Sequence, residues 1–184
     1  MENKRSYEEL TGILDRTTAW IENCDSKTSI LLGGLGVLAG ILLATDYAKK
    51  FLEIYRYLIS HISFWMIIYL IFYIIAMVLI VAGVVSWICV LFARVNINDF
   101  ADRGIKSDSL IFFSSIAKYK TVSSYKQELK KCKGLEMEED LISQIYICSI
   151  ICDKKFRYYK LGLIFVSLGL TLLAVLILIW LLFI

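Results

Sequence analysis

Polar and aromatic side chains gather just before the first and the last of the long apolar runs in this chain. Trp20, Asn23, Asp25 and Lys27 precede the first run, which begins at residue 30. A Lys or Arg cation can hold a phosphate while an aromatic ring meets a base, so this set has the chemistry to bind an anionic ligand. The full candidate set is Trp20, Asn23, Asp25, Lys27, Arg103, Phe113, Gln144, Lys154 and Lys155.

The same charged groups admit a second interpretation, in which they bind each other. Asp25 is then expected to pair with Lys154 or Lys155, and Lys27 with Asp153. Such a network would lock two helices together at an interface. The sequence favours this ion-pair network, and the ligand pocket, with Trp20 and Phe113 as its rings, stays open as the alternative.

Several functional classes are disfavoured by the sequence. It contains no G-x-S-x-G, Walker or H-E-x-x-H motif, and its single histidine is His61, so we expect no enzyme. The five cysteines include no C-x-x-C pair and are expected to be free thiols, without a metal or other cofactor. A net charge of +3 gives no sign of a nucleic-acid partner.

Three apolar runs must position the candidate residues. They cover residues 30–45, 64–93 and 161–184, and none contains Asp, Glu, Lys or Arg. A bilayer core of about 30 Å takes about 20 helical residues, so each run is long enough or nearly so to cross it. The chain is 59% hydrophobic, with a mean hydropathy of +0.70 and no proline. These features predict an all-α membrane protein with three transmembrane helices.

The distribution of Lys and Arg predicts the orientation in the membrane. Residues 1–29 and 94–160 hold seventeen of the 20 basic residues, and the segment 46–63 holds the other three. By the positive-inside rule the two richer segments are cytosolic. We therefore predict a multi-pass protein with a cytosolic N-terminus, an outer loop over 46–63 and a C-terminus outside.

The segments between the spans have helical patterns. Residues 7–24 place an apolar or small residue at steps of three and four, which predicts a cytosolic helix over 1–29 that runs into the first span. Residues 46–63 are predicted as an amphipathic helix at the outer surface, with an interfacial linker favoured over a membrane-thinning role. Residues 94–160 form the only other sizeable polar part, a small helical cytosolic sensor region.

Within 94–160 the sequence predicts three helices. The first covers 110–117, with Ser107 or Asp108 as its N-cap. The second starts at Ser123 or Ser124 and ends before Gly134. The third runs unbroken from about residue 137 to 184, and the acids at 136, 138, 139 and 140 suit the positive end of its dipole.

Glycines are concentrated in the first span. Gly33, Gly36 and Gly40 include a small-xxx-small spacing that allows another helix to approach closely. Tight packing within one subunit is slightly favoured, and a subunit or gating interface is the alternative. A homo-oligomer fits this spacing and the helical seams.

The chain resembles the Pycsar effector transmembrane proteins of bacterial antiphage defence. The resemblance is carried by residues 14–27 before the first span, by residues 110–117, and by residues 140–145 with Lys155 and Phe156 before the last span. The order, spacing and membrane layout agree over most of the chain. One departure is Ser114, where the family pattern has glycine.

This resemblance implies a ligand and a role. Such effectors are switched on by cyclic UMP or cyclic CMP made by a partner nucleotide cyclase, and they impair the inner membrane so that growth stops or the cell dies. The resemblance, and not the hydropathy pattern, supplies this ligand class. Two alternatives remain: a channel-like protein gated by another signal, and a structural membrane protein without a gate.

Overall fold

The computed structural model describes residues 2–44, 63–92, 109–132 and 134–183, together with residues 49, 52, 53, 56, 57 and 60. Within these ranges it contains five continuous helices and no strand. They are α1 (Glu2–Ala44), α2 (Phe64–Leu91), α3 (Phe113–Ile116), α4 (Val122–Lys131) and α5 (Gly134–Phe183).

Three of these helices are long and apolar enough to cross a membrane. The candidate spans are Tyr7–Ala44, Phe64–Leu91 and Gly134–Leu182, with mean hydropathies of 1.8, 2.9 and 2.8. The predicted fold class, an all-α membrane protein with three such helices, is confirmed. The first and last are also single unbroken helices, as predicted, because no proline or other breaker interrupts them.

The chain divides into two compact units. The first contains Met1–Asn23 and Ala93–Lys155, and the second contains Cys24–Phe92 and Phe156–Ile184. The first unit therefore holds the polar parts of α1 and α5 together with α3 and α4. The second holds α2 and the apolar parts of α1 and α5.

The buried residues of α1 follow the predicted spacing, but the last of them is Thr28, well before the helix ends at Ala44. Thr17 and Cys24 are buried, and Leu10, Leu14 and Ile21 are half-buried. Thr28, one turn further, is also buried, and its hydroxyl donates to the Cys24 carbonyl at 2.7 Å. No residue from 29 to 44 is buried among the described part of the chain.

α2 and α5 pack closely in the second unit. The α2 residues Ala76, Gly83, Trp87 and Val90 are buried, and so are the α5 residues Gly162, Val166, Gly169 and Leu176. Trp87 Nε1 donates to the Tyr159 carbonyl at 3.3 Å, and the Tyr69 hydroxyl donates to the Leu176 carbonyl at 3.0 Å. These pairs run in opposite directions along the chain, so the two helices are antiparallel.

Small residues make this close approach possible, and they are not the ones the sequence singled out. A Cβ on Gly83 would lie 2.9 Å from the Val166 amide nitrogen, and a Cβ on Gly162 would overlap the Trp87 ring. By contrast, a Cβ on Gly33, Gly36 or Gly40 would meet no atom of the described chain within 4 Å. The described residues therefore show no helix packed on these three glycines, and their role in packing or gating stays a prediction.

Three local expectations also need correction. α4 begins after Thr121, not at Ser123 or Ser124, because the Thr121 hydroxyl accepts the Ser124 amide at 3.2 Å and caps the helix. α4 ends at Lys131, and Gly134 starts α5 instead of ending α4. The predicted helix over 110–117 is only the turn Phe113–Ile116.

Some predictions fall on residues that the structure does not describe. Arg103, both proposed N-caps at 107 and 108, and most of the outer segment 46–63 lie outside the described residues. Within that segment, the described residues 49, 52, 53, 56, 57 and 60 are helical and exposed. The ring of Tyr57 lies edge-on to Trp180, with centroids 5.5 Å apart.

Candidate ligand-binding cleft

A cleft of about 350 Å³ opens in the first unit. It lies among the segment 109–119, the C-terminal half of α4 and the start of α5. Small-molecule sites range from about 300 to 1,000 Å³, so the cleft has room for a small ligand. It is lined by Ser109, Leu110, Ser115, Lys118, Tyr119, Glu128, Lys131, Cys132 and Glu136.

One wall of the cleft is a turn that is hydrogen-bonded to itself. The Ser109 hydroxyl accepts the amides of Ile111 at 3.2 Å and Phe112 at 2.9 Å. Serine commonly forms such local side-chain to backbone bonds, which hold a chain in a turn where no helix exists. Ser109 and Leu110 are both buried.

The peptide groups of Leu110 tie this turn to both neighbouring helices. Its amide donates to Asp140 Oδ2 at 2.7 Å, and its carbonyl accepts from the Tyr125 hydroxyl at 2.8 Å. The first bond is buried, and a buried hydrogen bond is costly to leave unmade. Asp140 is only 1% exposed, and its Oδ1 has no hydrogen-bond partner in the described chain. One residue therefore connects the turn with α4 and α5.

The aromatic wall is held by the same bond network. Tyr119 lines the cleft, and its ring centroid lies 5.4 Å from that of Tyr125 at an interplanar angle of 52°. Since the Tyr125 hydroxyl is held by Leu110, the ring behind Tyr119 has a defined position. Tyr125 therefore gives the Tyr119 ring a fixed surface to pack against.

The charged wall comes from the end of α4 and the turn before it. Lys131 Nζ donates to Glu128 Oε1 at 2.7 Å, and this bond raises the pKa of Lys131 above its usual value. The two side chains are 70% and 44% exposed, so the pair is a surface pair of small net energy. Lys118 forms no ion pair with any described residue. An anion can therefore bind Lys118 directly, and it can compete with Glu128 for Lys131.

The lining combines groups that suit a small nucleotide. Two lysines provide cations, two serines provide hydroxyls, two glutamates accept hydrogen bonds, and Tyr119 provides an aromatic surface. Lysine binds phosphate as a point charge, and bases stack on aromatic faces at about 1–3 kcal/mol each. Within the described residues, no group of three His, Cys, Asp or Glu could hold a metal ion.

None of the predicted ligand-site residues that the structure describes lines this cleft. Trp20, Asn23, Lys27, Phe113 and Lys154 are exposed, and Asp25 is half-buried. Gln144 and Lys155 are both 6% exposed on α5. The predicted pairing between the two charged clusters stays a prediction, and so does ligand binding there.

Sequence reasoning missed the residues that build the cleft. The sequence pattern places Asp140 among four acids that suit a helix start, whereas the structure buries it and bonds it to the Leu110 amide. A signal was present, since Leu110 and Asp140 each open one of the segments that carry the resemblance. Ser114, the departure from the family pattern, lies exposed in the helical turn α3, where serine is compatible with the backbone.

Comparison with known proteins decides the family. The model of the Pycsar effector protein domain matches residues 9–182, nearly the whole chain. The chain belongs to the Pycsar effector transmembrane family. Pycsar effector protein GmPycTM from Gulbenkiania mobilis is 29% identical over 173 residues, which cover 88% of this chain and 88% of that protein. No solved structure matches this chain.

Membership confirms the resemblance and gives the general role. Pycsar effectors act in antiphage defence, and the three candidate spans make this one a membrane effector. The family also implies a partner cyclase that produces a cyclic nucleotide. The cleft lies in the part of the chain where a nucleotide sensor is expected, outside the three apolar runs.

Proposed function

We propose that this Pycsar effector is activated by cyclic UMP or cyclic CMP and then impairs the inner membrane, so that growth stops or the cell dies. The observation that carries the proposal is the family match over residues 9–182, in a chain that combines three candidate spans with a compact polar unit. The orientation that we propose is N-terminus cytosolic and C-terminus outside, because the basic residues concentrate in 1–29 and 94–160.

Activation is proposed to change how subunits associate. The α1 face with Gly33, Gly36 and Gly40 is open in the described subunit, and small-xxx-small faces favour helix association in lipid. This supports a homo-oligomer in which α1 of one subunit packs on a neighbour. Ligand shifts such an equilibrium only if it binds one arrangement more tightly than the other.

Reconstituted vesicles test the activation step. The full chain is inserted into dye-loaded liposomes, and cyclic UMP, cyclic CMP, cyclic AMP or buffer is added. We expect dye release with one or both cyclic pyrimidine nucleotides and none with cyclic AMP or buffer. Equal release under all four conditions would contradict nucleotide gating and favour a constitutively open channel, and no release in any condition would favour a protein without a gate.

Orientation is tested separately in intact spheroplasts. A C-terminal epitope is expected to be removed by external protease, whereas an N-terminal epitope on the same chain is protected. The reverse pattern would overturn the proposed topology, because the basic segments would then lie outside.

A further inference from the structure

We propose that the cleft lined by Lys118, Tyr119 and Lys131 is the nucleotide site of this effector, and that it selects a singly charged cyclic phosphodiester over nucleotides of higher charge. This inference rests on the proposed function, because the ligand class comes from there. The assignment of the site comes from the geometry of the cleft alone.

Phosphate binding falls to the two lysines. Lys118 has no ion-pair partner in the described chain, so it meets an anion without first losing a contact. Lys131 is held by Glu128 in an exposed pair that a phosphate oxygen can replace. Both side chains line the same cleft, and the proposal places one phosphodiester against both.

The base and the sugar have matching partners in the same cleft. The Tyr119 ring, backed by Tyr125, offers a stacking surface for a flat pyrimidine. Glu128 and Glu136 offer carboxylate oxygens, which accept hydrogen bonds from a ribose hydroxyl or an exocyclic amine. A volume of about 350 Å³ lies near the lower end for ligand sites and suits a single small nucleotide.

The balance of charge in the cleft sets the selectivity. Among the described lining residues the two lysines are opposed by two glutamates, so these residues together carry no net formal charge. A cyclic phosphodiester carries a single negative charge, which the lysines can neutralise. A triphosphate brings several more negative charges close to Glu128 and Glu136, and like charges in contact repel. The cleft should therefore reject UTP although UTP carries the same base and sugar.

Calorimetric titration of the full chain in detergent tests this site. The probes are cyclic UMP, cyclic CMP, 5′-UMP and UTP. For Lys118→Gln we expect about tenfold weaker binding of the preferred cyclic nucleotide, because a charge-assisted bond to phosphate is lost. Tyr119→Leu should weaken binding by a similar factor, whereas Tyr119→Phe, which keeps the ring, should restore it to within about twofold.

One control variant lies outside the cleft, one variant within the cleft tests the charge argument, and a third tests the predicted cluster. Lys126→Gln removes an exposed charge from the same helix as Lys131 and should change affinity less than about twofold, as expected for a surface charge away from the ligand. Glu128→Gln frees Lys131 and should strengthen binding of the cyclic nucleotide while reducing the discrimination against UTP. Lys27→Ala tests the predicted cluster near the first span.

The outcomes separate this inference from the proposed function. If the wild-type chain binds a cyclic nucleotide and Lys118→Gln and Tyr119→Leu bind it equally well, the cleft is not the site. Loss of binding in Lys27→Ala alone would move the site to the predicted cluster. If the wild-type chain binds neither cyclic pyrimidine nucleotide, the proposed ligand class fails first. Tight binding of UTP by the wild-type chain would overturn the charge argument even if the cleft variants lose binding.

Discussion

α1 and the α2–α5 pair both carry glycines in apolar segments, but these glycines lie in different surroundings. In the pair, Gly83 and Gly162 lie against backbone or an indole ring, with no space for a methyl group. In α1, Gly36 and Gly40 face open space in the described subunit. Only 6% of the most apolar stretch of α1 is buried, against 22% for α5.

The difference shows that a glycine pattern in the sequence does not reveal which helix, if any, packs against it. In lipid, helices associate through close packing, because lipid tails are as apolar as the side chains and no hydrophobic force drives the helices together. A glycine face that packs against a helix of the same subunit stabilises that subunit. A glycine face without such a neighbour remains available to a helix of another subunit. We therefore expect substitutions in the two regions to damage different properties of the protein.

The largest effect is expected from Gly162→Leu. The new side chain would overlap the Trp87 ring, which also donates to the Tyr159 carbonyl. We expect a loss of about 3 kcal/mol in the free energy of unfolding, at the upper end for overpacked sites. Thermal unfolding in detergent, followed by tryptophan fluorescence, measures it. Gly34→Leu, in the open part of α1, is the control and should leave the midpoint nearly unchanged.

The second prediction addresses the open face. The double substitution Gly36→Val and Gly40→Val should change the free energy of unfolding of the subunit by less than about 0.5 kcal/mol, as for surface substitutions. It should abolish both subunit cross-linking and nucleotide-dependent dye release. The same Gly34→Leu control lies away from this face and should retain both activities. A double variant that unfolds early would mean that α1 is packed within its own subunit after all.

The third prediction extends the comparison from small residues to a polar contact in the first unit. Asp140→Ala leaves the buried Leu110 amide without its partner, which costs about 1–3 kcal/mol. Hydrogen exchange across residues 109–119 should become faster, and cyclic-nucleotide binding should weaken with it. Glu139→Ala removes a neighbouring exposed acid and serves as the control. Unchanged exchange in Asp140→Ala would show that the turn does not depend on this bond.

The smallest effect is expected from Tyr69→Phe at the far end of the α2–α5 pair. It removes the bond from the Tyr69 hydroxyl to the Leu176 carbonyl and keeps the ring beside Trp180. Hydrogen bonds between membrane helices contribute about 0.6 kcal/mol on average, so the unfolding midpoint should fall only slightly. A loss as large as that of Gly162→Leu would show that polar contacts, and not close packing, hold the pair together.

Much of the fold was predictable because it depends on local pattern. The length and hydropathy of the three runs predicted the spans, and the absence of proline predicted unbroken helices at both ends. The steps of three and four along α1 identified the buried positions Thr17 and Cys24. Helix capping was less predictable, since Thr121, Ser123 and Ser124 are all good capping residues and only one is used.

The cleft could not be predicted from pattern, because its residues are distant in sequence. Leu110 and Asp140 are 30 positions apart, and the bond between them is what holds the lining in place. Lys118, Tyr119 and Glu136 have no distinguishing neighbours in the sequence. The residues chosen instead, such as Trp20 and Lys27, stood out because they adjoin an apolar run, which is a feature of sequence position.

The sequence by itself determined the class of protein, the number of spans and the family, because hydropathy, charge and short motifs are properties of consecutive residues. Only the tertiary structure decided which glycines have another helix packed against them and which acid is buried. Both depend on which surfaces meet, and Gly83 and Gly40 are chemically the same residue until a second helix packs against one of them. The same holds for Asp140, which follows the exposed acid Glu139 in the sequence and whose partner is a peptide group of another segment.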